Sequence, residues 1–550
     1  MPALKASILF LFTLLISGSL YSQIIRPSSD SLDFGSVNVG EIDSLNLTLA
    51  NTSNQDLQVN NVKFYTIYND FPFSASNNNF TIPANDSISI WLYFEPRHNI
   101  LHNSEVVIFH NANSGMESID LKGQGVFLNP YYNVTQNLEE EALKTALRNR
   151  LAVSYNQLSY SAARDAMFMT IDNKFQNGQG APSNSLECVY TGFVKNGYTS
   201  RSNAQTTNPQ FNTEHTFPQG LFNQVLPQRS DIHHLFPTTN NSNSQRGSKP
   251  FGVVTNGTPV TLGGGSFYNS TTFEPRNAQK GRTARAMMYF VIRYQDYGSH
   301  FAVQQNILKS WHDTYPPDSV ERNRNDDIFA VQNNRNPFID YPQLEERISN
   351  FVSNSTKPVL NGLDITQSSI DFGNVLVDEA DTFKYVIVNR GNQGVDFSSI
   401  RIVDTSILSF KQNFNQDQSI EAGDALVIPL VISTSSVGLI NDTLRFETSI
   451  PGGLSSLSIP ITANSEVSLL EYSLLDQFKV YPNPIQDVLF VENEARVEIE
   501  LRLIDINGRI LVRSRSKQSR IEMPTGGLSK GVYFLELLNE SERRVLKLIK

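Results

Sequence analysis

The sequence predicts a multidomain chain: an α+β centre between two all-β sandwiches, followed by a small C-terminal β-domain. Three observations predict it. First, Leu32-Asp-Phe-Gly-Ser-Val-Asn-Val39 returns as Ile370-Asp-Phe-Gly-Asn-Val-Leu-Val377. Second, between these copies the apolar spacing changes from alternation to a helical period. Third, the stretch 470–550 alternates again and carries Asn507-Gly508, a strong hairpin signal. The chain has 550 residues, and at roughly 100–200 residues per domain there is room for about three to five domains.

The N-terminus reads as an export signal over 1–22. Lys5 supplies the positive start, Ile8 to Ile16 the short apolar run, and Ser17, Gly18 and Ser22 the small-residue exit, with cleavage near Ser22/Gln23. The run is shorter than the ~20 apolar residues that cross a bilayer, and no later segment is long and apolar enough, so no stable membrane span is expected. One cysteine excludes a disulfide scaffold and a cysteine-based zinc site. The exported chain must therefore be stabilised by core burial.

The two repeat copies are expected at 24–125 and 360–466. The match runs without a gap to Asn51 and Asn389, then to Asn54-Gln55 and Asn392-Gln393. Ser44 to Leu49, Ile88 to Phe94 and Glu105 to Phe109 alternate in the first copy, as do Leu426 to Ile432 and Thr443 to Phe446 in the second. Such short strands between turn signals suggest antiparallel sandwiches. The pattern resembles the immunoglobulin-like modules of secreted bacterial proteins, which space, orient or attach a catalytic unit. His98, His102 and His110 lie in the first copy without a ligand spacing, so packed or exposed roles are expected for them.

The centre, 126–358, is a different polypeptide. Leu143, Leu147 and Leu151 mark a helix within Glu139 to Val153; Thr283 to Tyr294 and Phe301 to Trp311 suggest two more. The whole chain carries a net charge of -10, which argues against coating nucleic acid by charge alone. The centre, however, holds 21 Lys+Arg against 18 Asp+Glu, so the acidity belongs to the flanks. Arg276, Lys280, Arg282 and Arg285 cluster there, a pattern equally suited to an anionic ligand or to a solvated helix start.

Chemistry concentrates in three short stretches: Asn212-Thr-Glu-His-Thr-Phe-Pro218, Asp231-Ile-His-His-Leu-Phe-Pro237 and Asn240-Asn-Ser-Asn-Ser-Gln-Arg246. They hold the parts of metal-assisted phosphodiester hydrolysis. A neutral histidine can deprotonate water, oxygen ligands can hold a hard cation, and a guanidinium can clamp a phosphate. Glu214 and His215 are neighbours and would point to opposite faces of a strand, so they can serve one centre only if the strand ends or bends there; Pro218 is a plausible cause. Pro237 suits the first turn of a helix over Thr238 to Gln245, on which Asn243 and Arg246 share a face. Asn240 and Asn241 compete with Asn243 as ligands. A zinc site of His215, His233 and His234 is not favoured, because a His-Glu-x-x-His pattern is absent.

EHTFPQ, DIHHLFP, NxxR, FEPR, KGRTARAMMYF and QNNRNPF, in that order, resemble the endonuclease I family over roughly 130–345. The resemblance implies an α+β ββα-metal (His-Me finger) nuclease domain that cuts DNA, and often RNA, with little sequence preference and leaves 5′-phosphates. It implies His215 as general base, Glu214 and Asn243 as magnesium ligands (with manganese or calcium as alternatives), and Arg246 as phosphate contact or transition-state stabiliser. Asp231, His233 and His234 are expected to orient these groups. Arg282 and Arg285 either track the nucleic-acid backbone or solvate a helix. Glu274 is expected to be structural and Cys188 a buried small hydrophobe. Some family members are disulfide-bonded, which this chain cannot be.

At the C-terminus FKVYPNP, DINGRIL, GVYFLEL and VLKLIK resemble the type IX secretion sorting domain. That resemblance implies a β-sandwich tail, passage through the type IX machinery, and an extracellular or outer-surface location. Two rival readings remain open from sequence: a non-enzymatic surface protein with an inactive nuclease fold, and a phosphodiesterase restricted to RNA or small substrates.

Overall fold

The repeated Asp-Phe-Gly segment is a strand with a built-in kink. In a computed structural model, which describes residues 25–67, 71–112, 115–295, 298–450, 456–467, 474–539 and 543–550, Gly35 and Gly373 both take positive φ, +65° and +66°. Each backbone N–H donates to the aspartate two residues earlier, Asp33 at 2.8 Å and Asp371 at 3.0 Å. Only glycine adopts that backbone at little cost. The repeated Asn51 and Asn389 also do the same work. Asn51 is buried and donates to the carbonyls of Gln55 and Ile82, Asn389 to those of Gln393 and Glu421. The export signal lies outside the described residues.

Both copies close into the same pair of sheets. In the first, Ile25–Pro27, Asp43–Asn51, Ser87–Phe94 and Phe73–Ala75 form one sheet; Ser31–Asn38, Met116–Val126, Leu101–His110, Leu57–Thr66 and Phe80–Ile82 form the other. The second copy repeats that order strand for strand, from Leu363–Ile365 to Ser456–Glu466. Alternating side chains fill each interior, among them Leu47, Ile90 and Ile108 in the first and Ile387, Ile428 and Leu444 in the second. Of the three histidines in the first copy, His102 packs on Phe94 and His110 is buried, pushed down to about 4 by burial and by Lys384. His98 faces Glu346 at 3.3 Å.

The modules are not separated spacers. Tyr65, Val107 and Met116 of the first join the core of the second, Lys384 pairs with Glu117, and the Arg390 Nε donates to the Thr66 carbonyl at 2.9 Å. A Cβ on Gly115 would stand 2.6 Å from the Phe383 ring, so that contact needs glycine. The first module also docks on the centre: buried Arg347 donates to the Asn99 Oδ1 at 2.5 Å and to the Thr135 carbonyl at 2.8 Å.

The centre is built around the helix Asn277–Tyr294, apolar on nearly every side and buried from Thr283 to Ile292. Glu140–Ala152, Gln305–Thr314 and Ser319–Gln332 are further helices of the same body. Phe217 stacks on Phe290 of the central helix at 4.3 Å. The strands Phe211–His215 and Leu235–Thr239 pair antiparallel, with His215 opposite Leu235 and Thr213 opposite Pro237. The helix Asn240–Arg246 follows directly. Pro237 is thus a strand residue, not the first turn of a helix. Thr239 caps the helix instead, its Oγ1 accepting from the Ser242 N–H at 3.4 Å.

The tail is a body of its own. It has a three-stranded sheet (Lys479–Tyr481, Val488–Glu492, Arg520–Pro524) and a four-stranded one (Ile510–Ser516, Ile499–Asp505, Val532–Leu538, Arg543–Ile549). Leu489, Leu501, Leu535 and Leu537 form its interior. At the hairpin Gly508 takes φ +77°, and the Asp505 Oδ1 accepts from the N–H groups of Asn507 and Arg509. Among the described residues no helix is long and apolar enough to cross a membrane.

Candidate active site

Glu214 and His215 end one strand and look in different directions, as alternation demands. Glu214 is 2 % exposed. Its Oε1 accepts from the Tyr190 hydroxyl at 2.8 Å and faces the Arg246 Nε at 3.3 Å. Burial pushes its carboxyl up, and Arg246 and Tyr190 oppose that rise. The regular strand stops at His215, and a helical turn begins at Gln219 after Pro218.

His215 is 6 % exposed, and its Nε2 lies 3.3 Å from the Arg229 carbonyl. A carbonyl only accepts, so that bond needs Nε2–H and leaves the Nδ1 lone pair as the base. Burial holds the imidazole well below its usual range, and His234, Arg229 and Arg164 lower it further. The ring is therefore neutral at pH 7, the form a general base requires. Its neighbours are His234 and Tyr160, each 5.6 Å away between ring centroids.

Of the expected orienting groups, only His234 touches His215. The His234 Nε2 bonds the Gln228 carbonyl at 2.6 Å and the His233 Nε2 the Asn334 carbonyl at 3.1 Å. Burial pushes both rings down to about 4. The Nε2 atoms of His215, His233 and His234 bond three different carbonyls, and no group of three or more His, Cys, Asp or Glu that could hold a metal such as zinc occurs among the described residues. Asp231 is a structural knot. Its Oδ2 accepts from Tyr289 at 2.7 Å and Tyr294 at 2.6 Å, its Oδ1 from Gln332 at 3.0 Å and the His233 N–H at 3.2 Å. Burial raises its carboxyl, and the two histidines with these hydrogen bonds outweigh that and hold it below its ordinary value.

Arg246 occupies another place than a phosphate contact needs. It is 1 % exposed, and its Nη2 and Nη1 donate to the carbonyls of Thr216 and Gly247 at 2.5 and 2.7 Å. It ties the helix to the strand and neutralises Glu214. Asn243 is half-buried, one turn earlier on the same helix face. Asn240 donates to Gln210 at 2.8 Å, and Asn241 is exposed. A carboxylate and a carboxamide are hard oxygen donors of the kind magnesium takes, with water and phosphate completing the set. A buried carboxylate whose charged form is disfavoured gains from a cation beside it, so the residues fit the metal.

The basic cluster seen in sequence is paired, not free. Arg276 meets Glu187, Lys280 meets Glu274, Arg282 meets Asp318, and Arg285 meets Glu321. Arg285 is 1 % exposed and also donates to the Tyr315 carbonyl, so it cannot track a nucleic-acid backbone. Arg282 keeps partial exposure, with its charge already matched. Sequence reading missed Tyr190 on Glu214, and Tyr160, Arg164 and Arg229 around His215. Arg229, two residues before Asp231, was within reach of a motif reading; Tyr160 and Arg164 sit far upstream and carried no signal. Cys188 is buried beside Thr238 and Thr239.

Residues 139–343 match the family model for endonuclease I. They are an endonuclease I domain. The extracellular ribonuclease of Bacillus amyloliquefaciens is 29% identical over 240 residues, covering 40% of this chain and 77% of that protein. The extracellular ribonuclease of Bacillus subtilis is 28% identical with the same coverage. An extracellular deoxyribonuclease of Aeromonas hydrophila is 35% identical over 124 residues, 22% of this chain and 52% of that one. Residues 479–550 match the secretion system C-terminal sorting domain, and 23–117 the ASPM-SPD-2-Hydin domain. The chain is a secreted enzyme of the nuclease class.

Proposed function

We propose that the endonuclease I domain hydrolyses phosphodiester bonds of DNA, and of RNA, with little sequence specificity. The domain is read as a ββα-metal fold made of Phe211–His215, Leu235–Thr239 and Asn240–Arg246, with the flanking modules as immunoglobulin-like sandwiches over 24–125 and 360–466. The observation that carries the proposal is His215: a buried, neutral imidazole fixed by the Arg229 carbonyl so that its Nδ1 is the basic nitrogen. The Nδ1 takes a proton from a water, the resulting hydroxide attacks phosphorus in line, and the P–O3′ bond breaks; the 3′ oxygen takes a proton from solvent water, leaving a 3′-hydroxyl and a 5′-phosphate. Magnesium, with Glu214 and Asn243 as its protein ligands, would supply neutralisation of the phosphate and of the leaving oxygen. Arg246 opposes the upward push of burial on the Glu214 carboxyl and keeps the helix in register with the strand. Asp231 and His233 hold the loop that carries Arg229 and His234.

The names of the Bacillus relatives favour RNA as a substrate beside DNA. A panel of duplex DNA, single-stranded DNA, RNA and a small diester, each with magnesium and with EDTA, tests the proposal. Cutting of the polymers only with metal is expected. Cutting of the small diester alone would replace it with a small-substrate phosphodiesterase.

A further inference from the structure

Among the described residues, two arginines beside His215 make no ion pair, unlike Arg246, Arg201 and Arg324. The Arg229 guanidinium lies 4.2 Å from the Tyr160 ring centroid, and that of Arg164 5.0 Å from it. The Tyr160 ring in turn packs on His215. The Arg164 Nε donates to the Thr213 Oγ1 at 3.2 Å, and Thr213 lies two residues before His215, on the same strand face. Among the described residues neither arginine reaches a carboxylate at ion-pair distance; the adjacent Asp165 is taken by Arg201 at 2.7 Å. The Arg229 Nε is buried without a hydrogen-bond partner. Burial lowers the Arg164 guanidinium below its usual range, and the charges of Arg201 and Arg229 add to the effect.

We infer that Arg164 and Arg229, held on Tyr160, are a clamp for a backbone phosphate of the nucleic-acid strand, next to the bond that His215 addresses. This rests on the nuclease reading above. Two half-buried cations with free donors are stabilised by an anion, and the planar fork of arginine matches phosphate oxygens. Arg246, the arginine that the motif marks, is less suited to this part: it is 1 % exposed, already paired with the Glu214 carboxylate, and bonded to the Thr216 and Gly247 carbonyls. Arg229 couples the two tasks. Its carbonyl fixes the His215 ring, and its side chain receives the phosphate. Because any residue at 229 keeps the carbonyl, substitution there isolates the side chain's role.

The test measures binding of a short fluorescein-labelled DNA duplex in EDTA as salt is raised, beside nicking of plasmid with magnesium. Arg164→Ala and Arg229→Ala should each lower the slope of log affinity against log salt by about 1. Arg201→Ala, which removes a cation already paired with Asp165, should leave it unchanged, and Arg229→Lys should keep the wild-type slope. Unfolding midpoints confirm that each variant is folded, and Arg229→Met replaces Arg229→Ala if the latter is not. A wild type that binds and nicks, with slopes unmoved in the Arg164 and Arg229 variants, overturns the clamp alone. A wild type that neither binds nor nicks overturns the nuclease reading and the clamp with it.

Discussion

At the scale of single residues, the site is a set of buried groups whose charges are set by their neighbours. Burial, aided by His234, Arg229 and Arg164, holds the His215 imidazole well below 6.5. Lowering the pH protonates the base and removes activity, so with saturating magnesium the acid limb of kcat/KM should have its midpoint below pH 6.5. A midpoint above 6.5 would mean that a carboxylate, not burial, governs the ring. Arg246 makes a different prediction. Removing it strands a buried carboxylate, so Arg246→Ala should cost about 3–5 kcal/mol in urea unfolding. A loss under about 1 kcal/mol together with lost cutting would return Arg246 to the role of phosphate contact.

At the scale of elements, the pairing of Phe211–His215 with Leu235–Thr239 and the helix that follows decide which residues meet. The helix is short, rich in Asn and Ser, and weak by propensity, so its start depends on the Thr239 cap. Thr239→Ala should cost about 1 kcal/mol and weaken magnesium binding measured by calorimetry, because Asn243 rides on that helix. Unchanged magnesium affinity would remove Asn243 from the ligand set. Much of this was legible in sequence. The Leu143, Leu147, Leu151 spacing and the apolar run to Tyr294 mark helices because one period dominates them. Pro237 was misleading: proline suits a first helical turn, yet here it lies in a strand, where its missing N–H costs no ladder bond that the pair needs. The cluster Arg276 to Arg285 misled for another reason. Its partners Glu187, Asp318 and Glu321 are remote in sequence, so a run of charge looked free when the fold had neutralised it. Tyr160 and Arg164 were hidden by the same distance.

At the scale of the whole molecule, the duplicated modules pack on each other and the first of them packs on the central domain, and the repeated Asp-Phe-Gly kink and buried asparagine explain why two copies share one topology. Stability is tied to buried histidines. His110, His233, His234, His300 and His312 are each pushed down to about 4, chiefly by burial. In the unfolded chain each titrates near 6.5. The unfolded state therefore gains protons first as pH falls, and the stability present above 6.5 is lost progressively down to about 4. Thermal unfolding should show its midpoint dropping steadily across that window; a flat midpoint from pH 6.5 to 4 would contradict the burial of these rings. The central claim, that His215 is the base of a metal-dependent nuclease, is tested most directly by plasmid nicking with magnesium, wild type against His215→Ala at matched folding. The wild type is expected to nick, with EDTA abolishing the activity, and the variant to lose several orders of magnitude. Equal nicking by both proteins would contradict it.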